Sequence, residues 1–330
     1  MSRNTPEVVL LTTHDSPIHS SAETILKENF TVRCVPTPGW SFDEDVLKNV
    51  ASANAILVRI GVVTEEVMEA ASDLRVVAVH GIGVDRVDLK AAEKRGIVVT
   101  NTPLANTAAV AEHTVGLILS SVRKIPASDR LMRQGRWKEA QFVFKELMNM
   151  TVGIIGFGNI GAKVAKRLGS FEAKIISYDP YVPLERFEEF GVKRTDFETL
   201  LSESDIITVH VPLTRFTRHM ISEKELKLMK REAFIVNTSR GAVIDERALC
   251  AALCNKQIAG ASLDVYEEEP LAQSSPLLEM ENVVLTPHVA GTTEESLKRT
   301  AETAARDIAK VLVGEMPIHE YRKKLLPYPV

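Results

Sequence analysis

The chain has 330 residues, of which 45% are hydrophobic and 25% are charged, and its formal net charge is −4 at pH 7. That length and apolar content predict two domains, each with a core of its own. A chain with no basic surplus lacks the electrostatic surface that binds nucleic acid. No apolar run has the length of a signal-peptide core or of a membrane span, so we expect a soluble protein of the cytoplasm.

The three cysteines, Cys34, Cys250 and Cys254, are too few for a disulfide framework. Cys250 and Cys254 lie four residues apart in a predicted helix, a spacing that suits a metal pair only where two further ligands converge. The simpler interpretation, two small buried thiols, is favoured. We therefore expect no metal site and a reducing compartment.

Short β-branched runs alternate with helical segments from the start of the chain. In the first third we predict four strands, at Val8–Thr13, Ala55–Val58, Arg75–Val79 and Ile97–Val99. Between them the segments SAETILKEN and TEEVMEAA have helical character, and Thr64 is the predicted N-cap of the second because an acidic first turn follows it. A long helix is predicted from Ala105 to about Ser120, followed by a polar segment to Met150.

From Thr151 the alternation resumes with six further strand candidates, VGII, KIISY, DIITV, AFIVN, AGASL and NVVL. These runs are apolar throughout, which is typical of parallel strands that helices cover on both faces. A last helix is predicted from about Thr293 to Val313. The predicted fold class is therefore α/β, with two doubly wound parallel-sheet domains, of which the second is inserted into the first.

A glycine-rich loop follows the first strand of the second group. The pattern G-x-G-x-x-G falls at Gly156, Gly158 and Gly161, and the next strand ends at Asp179. In a dinucleotide-binding turn the glycines allow a tight bend, close approach of a pyrophosphate, and helix–strand packing, while the acid binds the ribose hydroxyls. No arginine stands at 180 or 181, so the pattern favours NAD over NADP. Two other interpretations are a purely structural turn and a site for S-adenosylmethionine.

Three chemically useful side chains follow three later strands. Arg240 follows AFIVN, Glu269 follows AGASL, and His288 follows NVVL. Ligands of doubly wound sheets bind outside the carboxyl ends of the strands, so we expect these side chains near the glycine loop. Arginine grips a carboxylate with two parallel hydrogen bonds, and a histidine oriented by a carboxylate exchanges a proton with a carbonyl oxygen. The set predicts an oxidoreductase acting on a 2-hydroxy or 2-keto acid.

Each of these residues also has a structural interpretation. Arg240 could form a surface salt bridge, and His288 could be a loop histidine satisfied by its neighbours. Glu267 and Glu268, just before Glu269, are interpreted as a solvated acidic turn. Among the other histidines, His210 either lines the cofactor site or is structural, His80 could face substrate, and His113 is interpreted as packing on its helix or capping it. His14, His19, His219 and His319 give no reason to single them out.

The motifs together resemble those of the D-isomer-specific 2-hydroxyacid dehydrogenases. The resemblance runs through nearly the whole chain, in HGIGVDRVDLKAAEKRGI, VTNTP, AEHTVGLIL, GIIGFGNIG, HVPLTRFTRHMI, NTSRGAVIDERAL, LDVYEEEP and TPHVAG. It implies that Arg240 binds the substrate carboxylate, that His288 is the acid/base and that Glu269 is its partner. It implies a Rossmann NAD-binding domain over 104–292, inserted into a flavodoxin-like substrate-binding domain over 1–103 and 293–330, and a homodimer formed around the helix that starts near Ala105.

The resemblance also implies contacts with cofactor and substrate. Asp264 would approach the nicotinamide amide, and the cofactor would be bordered by the glycine loop and Asp179 together with Asn159, Ile160, His210, Pro212, Thr217, Thr238 and Gly291. The substrate carboxylate would receive backbone amides from Gly81, Ile82 and Gly83. Phosphoglycerate enzymes of the family often carry R-A-G where this chain has Val79-His80-Gly81, whereas Arg59 matches a second arginine of that group.

We therefore predict an NAD-dependent D-2-hydroxyacid dehydrogenase acting on 3-phosphoglycerate, hydroxypyruvate, glyoxylate or a similar small acid. Arg59 and His80 are predicted to contact the substrate. Two alternatives stay open at this point, an NAD(H)-binding transcriptional corepressor with the same fold and a formate-type dehydrogenase. The pairing of Glu269 with His288 favours the hydroxy-acid enzyme over formate oxidation, in which no alcohol proton is removed.

Overall fold

A computed structural model describes residues 5–140 and 143–321 of the chain. These residues divide into two compact units. The first contains the described residues up to Asn106 together with those from Thr292 onward, and the second runs from Thr107 to Gly291. The domain boundaries predicted from the sequence lie after residues 103 and 292.

The first unit is built on a five-stranded parallel sheet in the order β2-β1-β3-β4-β5. Its strands are β1 Glu7–Thr12, β2 Thr31–Pro36, β3 Ala55–Val58, β4 Val76–Val79 and β5 Val98–Thr100. Its helices are α1 Ser21–Lys27, α2 Glu44–Val50, α3 Glu65–Ala70, α4 Leu89–Arg95 and α12 Glu294–Val313. An apolar cluster packs on each face of the sheet, which explains why β3 is buried along its whole length. The strand order is that of flavodoxin-like folds.

The second unit is built on a seven-stranded parallel sheet in the order β12-β11-β10-β9-β6-β7-β8. Its strands are β6 Thr151–Ile155, β7 Lys174–Tyr178, β8 Lys193–Arg194, β9 Ile206–Val209, β10 Phe234–Asn237, β11 Gly260–Leu263 and β12 Val283–Leu285. Its helices are α5 Thr107–Val122, α6 Ile125–Arg133, α7 Asn159–Gly169, α8 Leu184–Glu189, α9 Phe197–Glu203, α10 Glu223–Leu228 and α11 Glu246–Cys254. Because the order reverses between β6 and β9, this is a Rossmann sheet, and its ligand site lies at the carboxyl ends of the strands.

The predicted fold class is confirmed, and each of the ten predicted strands corresponds to an observed one. Two strands were not predicted. β2 is an edge strand with mostly exposed or half-exposed residues, and β8 has only two residues, so neither leaves a buried apolar run in the sequence. The polar segment before Met150 also contains helix α6, none of whose residues is buried.

The interpretation of Cys250 and Cys254 as buried thiols is wrong. Cys254 is exposed, and Cys250 is half-buried against the apolar core of the second unit. In the part of the chain that the structure describes, no group of three or more histidine, cysteine or acidic side chains is placed to hold a metal ion. No helix within residues 5–140 and 143–321 combines the length and the hydropathy needed to cross a membrane.

Candidate active site

The glycine loop between β6 and α7 requires glycine at two positions. Gly156 has a left-handed φ of +92°, and a Cβ atom there would lie 2.7 Å from the carbonyl oxygen of His210. A Cβ on Gly161 would lie 2.1 Å from the carbonyl oxygen of Gly156, so a side chain would push the helix away from the loop. Both glycines therefore fix the path of the backbone before any ligand is considered.

Gly158 is different, because the space beside it is open. It is the N-cap of α7 in an extended conformation, and no atom lies within 4 Å of where its Cβ would be. The first amides of α7, from Asn159, Ile160 and Gly161, have no partner within the helix and favour negative charge there. An open cradle at a helix N-terminus fits the pyrophosphate of a dinucleotide.

The two kinds of glycine lead to a paired prediction. We expect Gly161→Ala to lower the free energy of unfolding by about 1–3 kcal/mol, because the added methyl group overlaps the Gly156 carbonyl. We expect Gly158→Ala to leave the melting temperature near that of the parent but to weaken NADH binding, because its methyl group occupies only the open cradle. Thermal unfolding and NADH fluorescence titration measure the two effects. Equal losses of stability in both variants would contradict this division of roles.

Asp179, at the end of β7, is fixed beside the glycine loop. Its Oδ2 accepts a hydrogen bond from the amide of Phe157 at 2.9 Å, and its Oδ1 accepts from the amide of Tyr181 at 2.9 Å. Arg186 of α8 lies on the other side of the loop, where it donates to the carbonyl oxygen of Phe157 at 3.3 Å and to Oδ1 of Asn159 at 3.4 Å. Arg186 was not predicted, because it lies seven residues beyond Asp179, in the next helix.

The loop after β9 carries three residues that were predicted to border the cofactor. The ring Nε2 of His210 lies 2.9 Å from Oγ1 of Thr208, whereas its Nδ1 is buried and has no partner among the described residues. Burial lowers the pKa of His210 to about 3, so the ring is neutral at physiological pH. Thr217 donates to the carbonyl oxygen of Pro212 at 2.6 Å, which closes the loop on itself. A buried nitrogen without a partner suits a polar ligand atom at this place.

Arg240 lies in a tight turn directly after β10. The Asn237 side-chain amide donates to the carbonyl oxygen of Arg240 at 2.9 Å, and Arg240 donates from Nη1 to the carbonyl oxygen of Ser239 at 2.8 Å. The next residue, Gly241, is pressed against the segment after β11, since its Cβ would lie 1.9 Å from the carbonyl carbon and oxygen of Tyr266. The turn that carries Arg240 is thus fixed from two sides.

Glu269 and His288 form the predicted pair. The Nδ1 of His288 lies 2.9 Å from Oε2 of Glu269, whose side chain is only 14% exposed, compared with 41% for the histidine. The other carboxylate oxygen of Glu269 accepts from the amide of Tyr266 at 3.2 Å, which orients it. Nε2 of His288 has no partner within the described residues, so it is available to a ligand oxygen. The arrangement is that of an oriented acid/base histidine.

The backbone around His288 is shaped by Asp264, which is 0% exposed at the end of β11. Its carboxylate accepts from Thr286 Oγ1 at 2.6 Å and from the amides of Val289 and Ala290 at 2.9 and 2.8 Å. Burial alone would raise the pKa of Asp264, but these hydrogen bonds outweigh it and hold the pKa below its ordinary value. This role was not predicted. The predicted contact of Asp264 with the nicotinamide stays a prediction.

Helix α5 contributes two further contacts to this edge. Nε2 of His113 lies 3.1 Å from Oγ1 of Thr286 and 3.5 Å from Oδ1 of Asp264. The hydroxyl of Thr238, predicted to border the cofactor, lies 2.9 Å from that of Thr114. Gly291, also predicted to border the cofactor, directly follows the loop that Asp264 fixes. His113 was missed because its partner is 173 residues away in the sequence.

The first unit contains the remaining predicted residues. Arg59 donates to Ser16 Oγ and to the carbonyl oxygen of Pro17, and no carboxylate in the described part of the chain pairs with it. Burial, followed by the charge of Arg59, lowers the pKa of His80 to about 3. The Gly81 amide donates to the carbonyl oxygen of Val79 at 2.9 Å, and its predicted contact with the substrate stays a prediction. For Ile82 and Gly83, the described residues include no acceptor of the backbone amide.

Comparison with known proteins agrees with this geometry. Residues 115–290 match the family model of the D-isomer specific 2-hydroxyacid dehydrogenase, NAD binding domain. A D-3-phosphoglycerate dehydrogenase of Archaeoglobus fulgidus is 43% identical over 82% of this chain, and a glyoxylate reductase of Thermofilum pendens is 44% identical over 90% of it. The solved D-lactate dehydrogenase of Aquifex aeolicus, complexed with NAD and lactic acid, is 31% identical, covers 93% of this chain and superposes with a TM-score of 0.83 over 96% of its own length.

The chain belongs to the D-isomer specific 2-hydroxyacid dehydrogenase family. The family prediction is confirmed, and with it the class of NAD-dependent oxidoreductases that act on a CH–OH group. The chain spans 52% of the length of the Archaeoglobus phosphoglycerate dehydrogenase and 95% of that of the Thermofilum glyoxylate reductase. The particular reaction and substrate are therefore matters of proposal.

Proposed function

We propose that the protein interconverts a small D-2-hydroxy acid and its 2-keto acid with NAD(H). The observation that carries the proposal is the 2.9 Å hydrogen bond between Glu269 and His288, which leaves Nε2 of the imidazole available. The pair stands at the ends of β11 and β12, next to β10 with Arg240, at the sheet edge that also carries the glycine loop. Acid/base, carboxylate clamp and dinucleotide cradle thus belong to one edge.

NADH, when bound, supplies the hydride for the keto acid, and the residues of the chain bind the substrate and transfer the proton. Arg240 would grip the substrate carboxylate with its planar fork and draw electron density from the adjacent carbonyl. His288, protonated and held by Glu269, would give its Nε2 proton to the carbonyl oxygen as the C2–H bond forms. In the reverse direction the neutral imidazole would take the alcohol proton. Asp264 would keep the His288 loop in place throughout.

We also propose that the substrate carries negative charge in addition to the carboxylate that Arg240 binds. Arg59 is half-buried and has no carboxylate partner in the described residues, and burial lowers its pKa. A guanidinium in that state is stabilised by an anionic ligand. His80 lies close enough for the charge of Arg59 to affect its titration, and its Nε2 is buried without a described partner. We propose the same substrate-binding role for Gly81, Ile82 and Gly83.

Three finer points belong to the same proposal. Asp179 would repel a 2′-phosphate, so we propose NAD rather than NADP as the cofactor. Helix α6 buries none of its residues and exposes Ile125 and Met132, and Trp137 just beyond it is exposed too, which supports a homodimer. We keep the cytoplasm as the expected location.

The proposal is tested by NADH consumption with a panel of acids. We expect turnover with at least one of glyoxylate, hydroxypyruvate, pyruvate, 3-phosphohydroxypyruvate and sulfopyruvate, and faster turnover with NADH than with NADPH. The comparison of hydroxypyruvate with its phosphorylated form isolates the contribution of a second anionic group. No turnover with any of these acids, under conditions in which NADH is shown to bind, would refute the proposed reaction.

A further inference from the structure

A cluster of three side chains outside the catalytic pair links the loops of the second unit. We call it the His219 cluster, and it consists of His219, Glu246 and Glu267. Nε2 of His219 lies 2.7 Å from Oε1 of Glu267. The same Oε1 accepts from the amide of Glu246 at 3.1 Å, and Oε2 of Glu246 accepts from the amide of Glu267 at 3.1 Å. The interpretation of Glu267 as a merely solvated residue is therefore wrong.

The three residues come from three different strand ends. His219 belongs to the loop after β9, Glu246 is the first residue of α11 beyond β10, and Glu267 belongs to the segment after β11. The reciprocal hydrogen bonds between Glu246 and Glu267 use backbone amides, so they fix the two segments in register and not only their side chains. His219 adds the third loop to this connection.

His219 also holds the Arg240 turn through its backbone. Its amide donates to the carbonyl oxygen of Ala242 at 2.8 Å, two residues after Arg240. His219 adopts a left-handed φ of +52°, which is uncommon for a residue with a side chain. On the other side, Glu267 lies two residues before Glu269, the partner of His288. A single residue thus contacts the turn of the carboxylate clamp with its amide and the segment of the acid/base pair with its ring.

We propose that His219 and Glu267 are positioning residues that set the Arg240 turn relative to the Glu269 segment. This inference rests on the proposed function, because it needs Arg240 to bind the substrate carboxylate. Without the cluster the turn after β10 still folds, since Asn237 fixes it locally and Gly241 still packs against the segment after β11. The turn does lose one of the contacts that align it with the Glu269 segment. The affected quantity is therefore the grip on the substrate, not the binding of NADH.

Because the side chains of His219 and Glu267 are partly exposed, a role in positioning can be distinguished from a role in folding. The side chains of His219 and Glu267 are 40% and 35% exposed, and exposed ion pairs contribute little to stability. We expect His219→Ala to raise the apparent Michaelis constant for the keto acid roughly tenfold with the turnover number within about twofold, which is the signature of lost substrate binding. The melting temperature and the Michaelis constant for NADH should stay near those of the parent.

Three further variants make the test specific. His219→Gln places an amide nitrogen near the position of Nε2 and should restore most of the lost affinity. Glu267→Ala also removes the acceptor of the Glu246 amide, so it should have at least the effect of His219→Ala. The double variant should cost no more than Glu267→Ala alone, because the contact between His219 and Glu267 is already lost in that single variant. Glu268→Gln is the matched control, since it removes a charge from the same turn without a hydrogen bond to the cluster.

The same variants are titrated with oxamate, a 2-keto-acid analogue that is not reduced, in the presence of NADH, with nucleotide fluorescence as the readout. An unchanged oxamate affinity and Michaelis constant in His219→Ala would overturn the role of the cluster and leave the proposed reaction standing. So would an effect of Glu268→Gln as large as that of His219→Ala, or a failure of His219→Gln to restore binding. A parent protein that neither reduces keto acids nor binds oxamate would refute the proposed function, and the inference with it.

Discussion

Replacing His288 by alanine should lower the turnover number by about two to four orders of magnitude, the usual contribution of a positioned acid/base group. The reason is that Nε2 is the only atom of the Glu269–His288 pair placed to exchange a proton with a ligand oxygen, since Nδ1 is engaged by the carboxylate. NADH should bind as before, because the glycine loop and Asp179 do not depend on this side chain. Steady-state kinetics with the best acid of the panel and NADH fluorescence titration measure the two quantities.

The control for this variant is His14→Ala, which removes an exposed histidine of the first unit that forms no hydrogen bond or ion pair in the described part of the chain. It should have the activity of the parent. The turnover number of Glu269→Gln should lie between those of His288→Ala and His14→Ala. An amide oxygen can still accept a hydrogen bond from Nδ1 of His288, but it no longer stabilises the charged imidazole. Turnover of His288→Ala within a factor of three of the parent would refute the acid/base assignment.

Replacing Arg240 by lysine should raise the apparent Michaelis constant for the keto acid by about 10- to 100-fold, the equivalent of about 1.5–3 kcal/mol of lost charge-assisted hydrogen bonding. Lysine keeps the positive charge, but a single ammonium group cannot match the two oxygens of a carboxylate as the planar guanidinium does. Lysine also cannot reproduce the hydrogen bond from Nη1 to Ser239 together with a grip on the substrate. Michaelis constants for the acid and for NADH are measured separately.

Arg247→Lys is the matched control, because Arg247 is an exposed residue of the neighbouring helix α11 that forms no hydrogen bond or ion pair among the described residues. Its kinetic constants should not change. A Michaelis constant for the keto acid that is the same in Arg240→Lys and in the parent would show that Arg240 is not the carboxylate clamp, and the proposed substrate orientation would have to be abandoned.

The parts of the site that were predictable are those with a local signal. Gly156, Gly161 and Asp179 follow from one strand–loop–helix–strand pattern. The two glycines are required because a Cβ atom would lie 2.7 Å and 2.1 Å, respectively, from a backbone carbonyl oxygen. Arg240, Glu269 and His288 were predicted because each lies within six residues of the end of a recognisable strand, and parallel strands bring their ends to one edge. The pairing of Glu269 with His288 could be predicted because the ends of their strands meet at this edge.

The parts that were missed depend on contacts between distant residues. Nothing in the local sequence relates His113 to Thr286, or His219 to Glu267, since each pair meets only when the sheet is assembled. The role of Asp264 was missed for a related reason, because an acid at a strand end suggests a ligand contact, whereas here it satisfies the amides of a loop that begins 25 residues later. Positioning interactions are thus less visible in a sequence than the groups they position.

The central claim is that hydride transfer to C2 of a 2-keto acid yields the D-hydroxy acid, with His288 supplying the proton. It is tested most directly with the best substrate of the panel other than glyoxylate, whose product is not chiral. That acid is reduced with NADH deuterated on both sides of nicotinamide C4, and the product is analysed by chiral separation and mass spectrometry. We expect one deuterium, bound to C2, in the D enantiomer. Deuterium that appears in solvent instead, or a product of the L configuration, would contradict the proposed reaction.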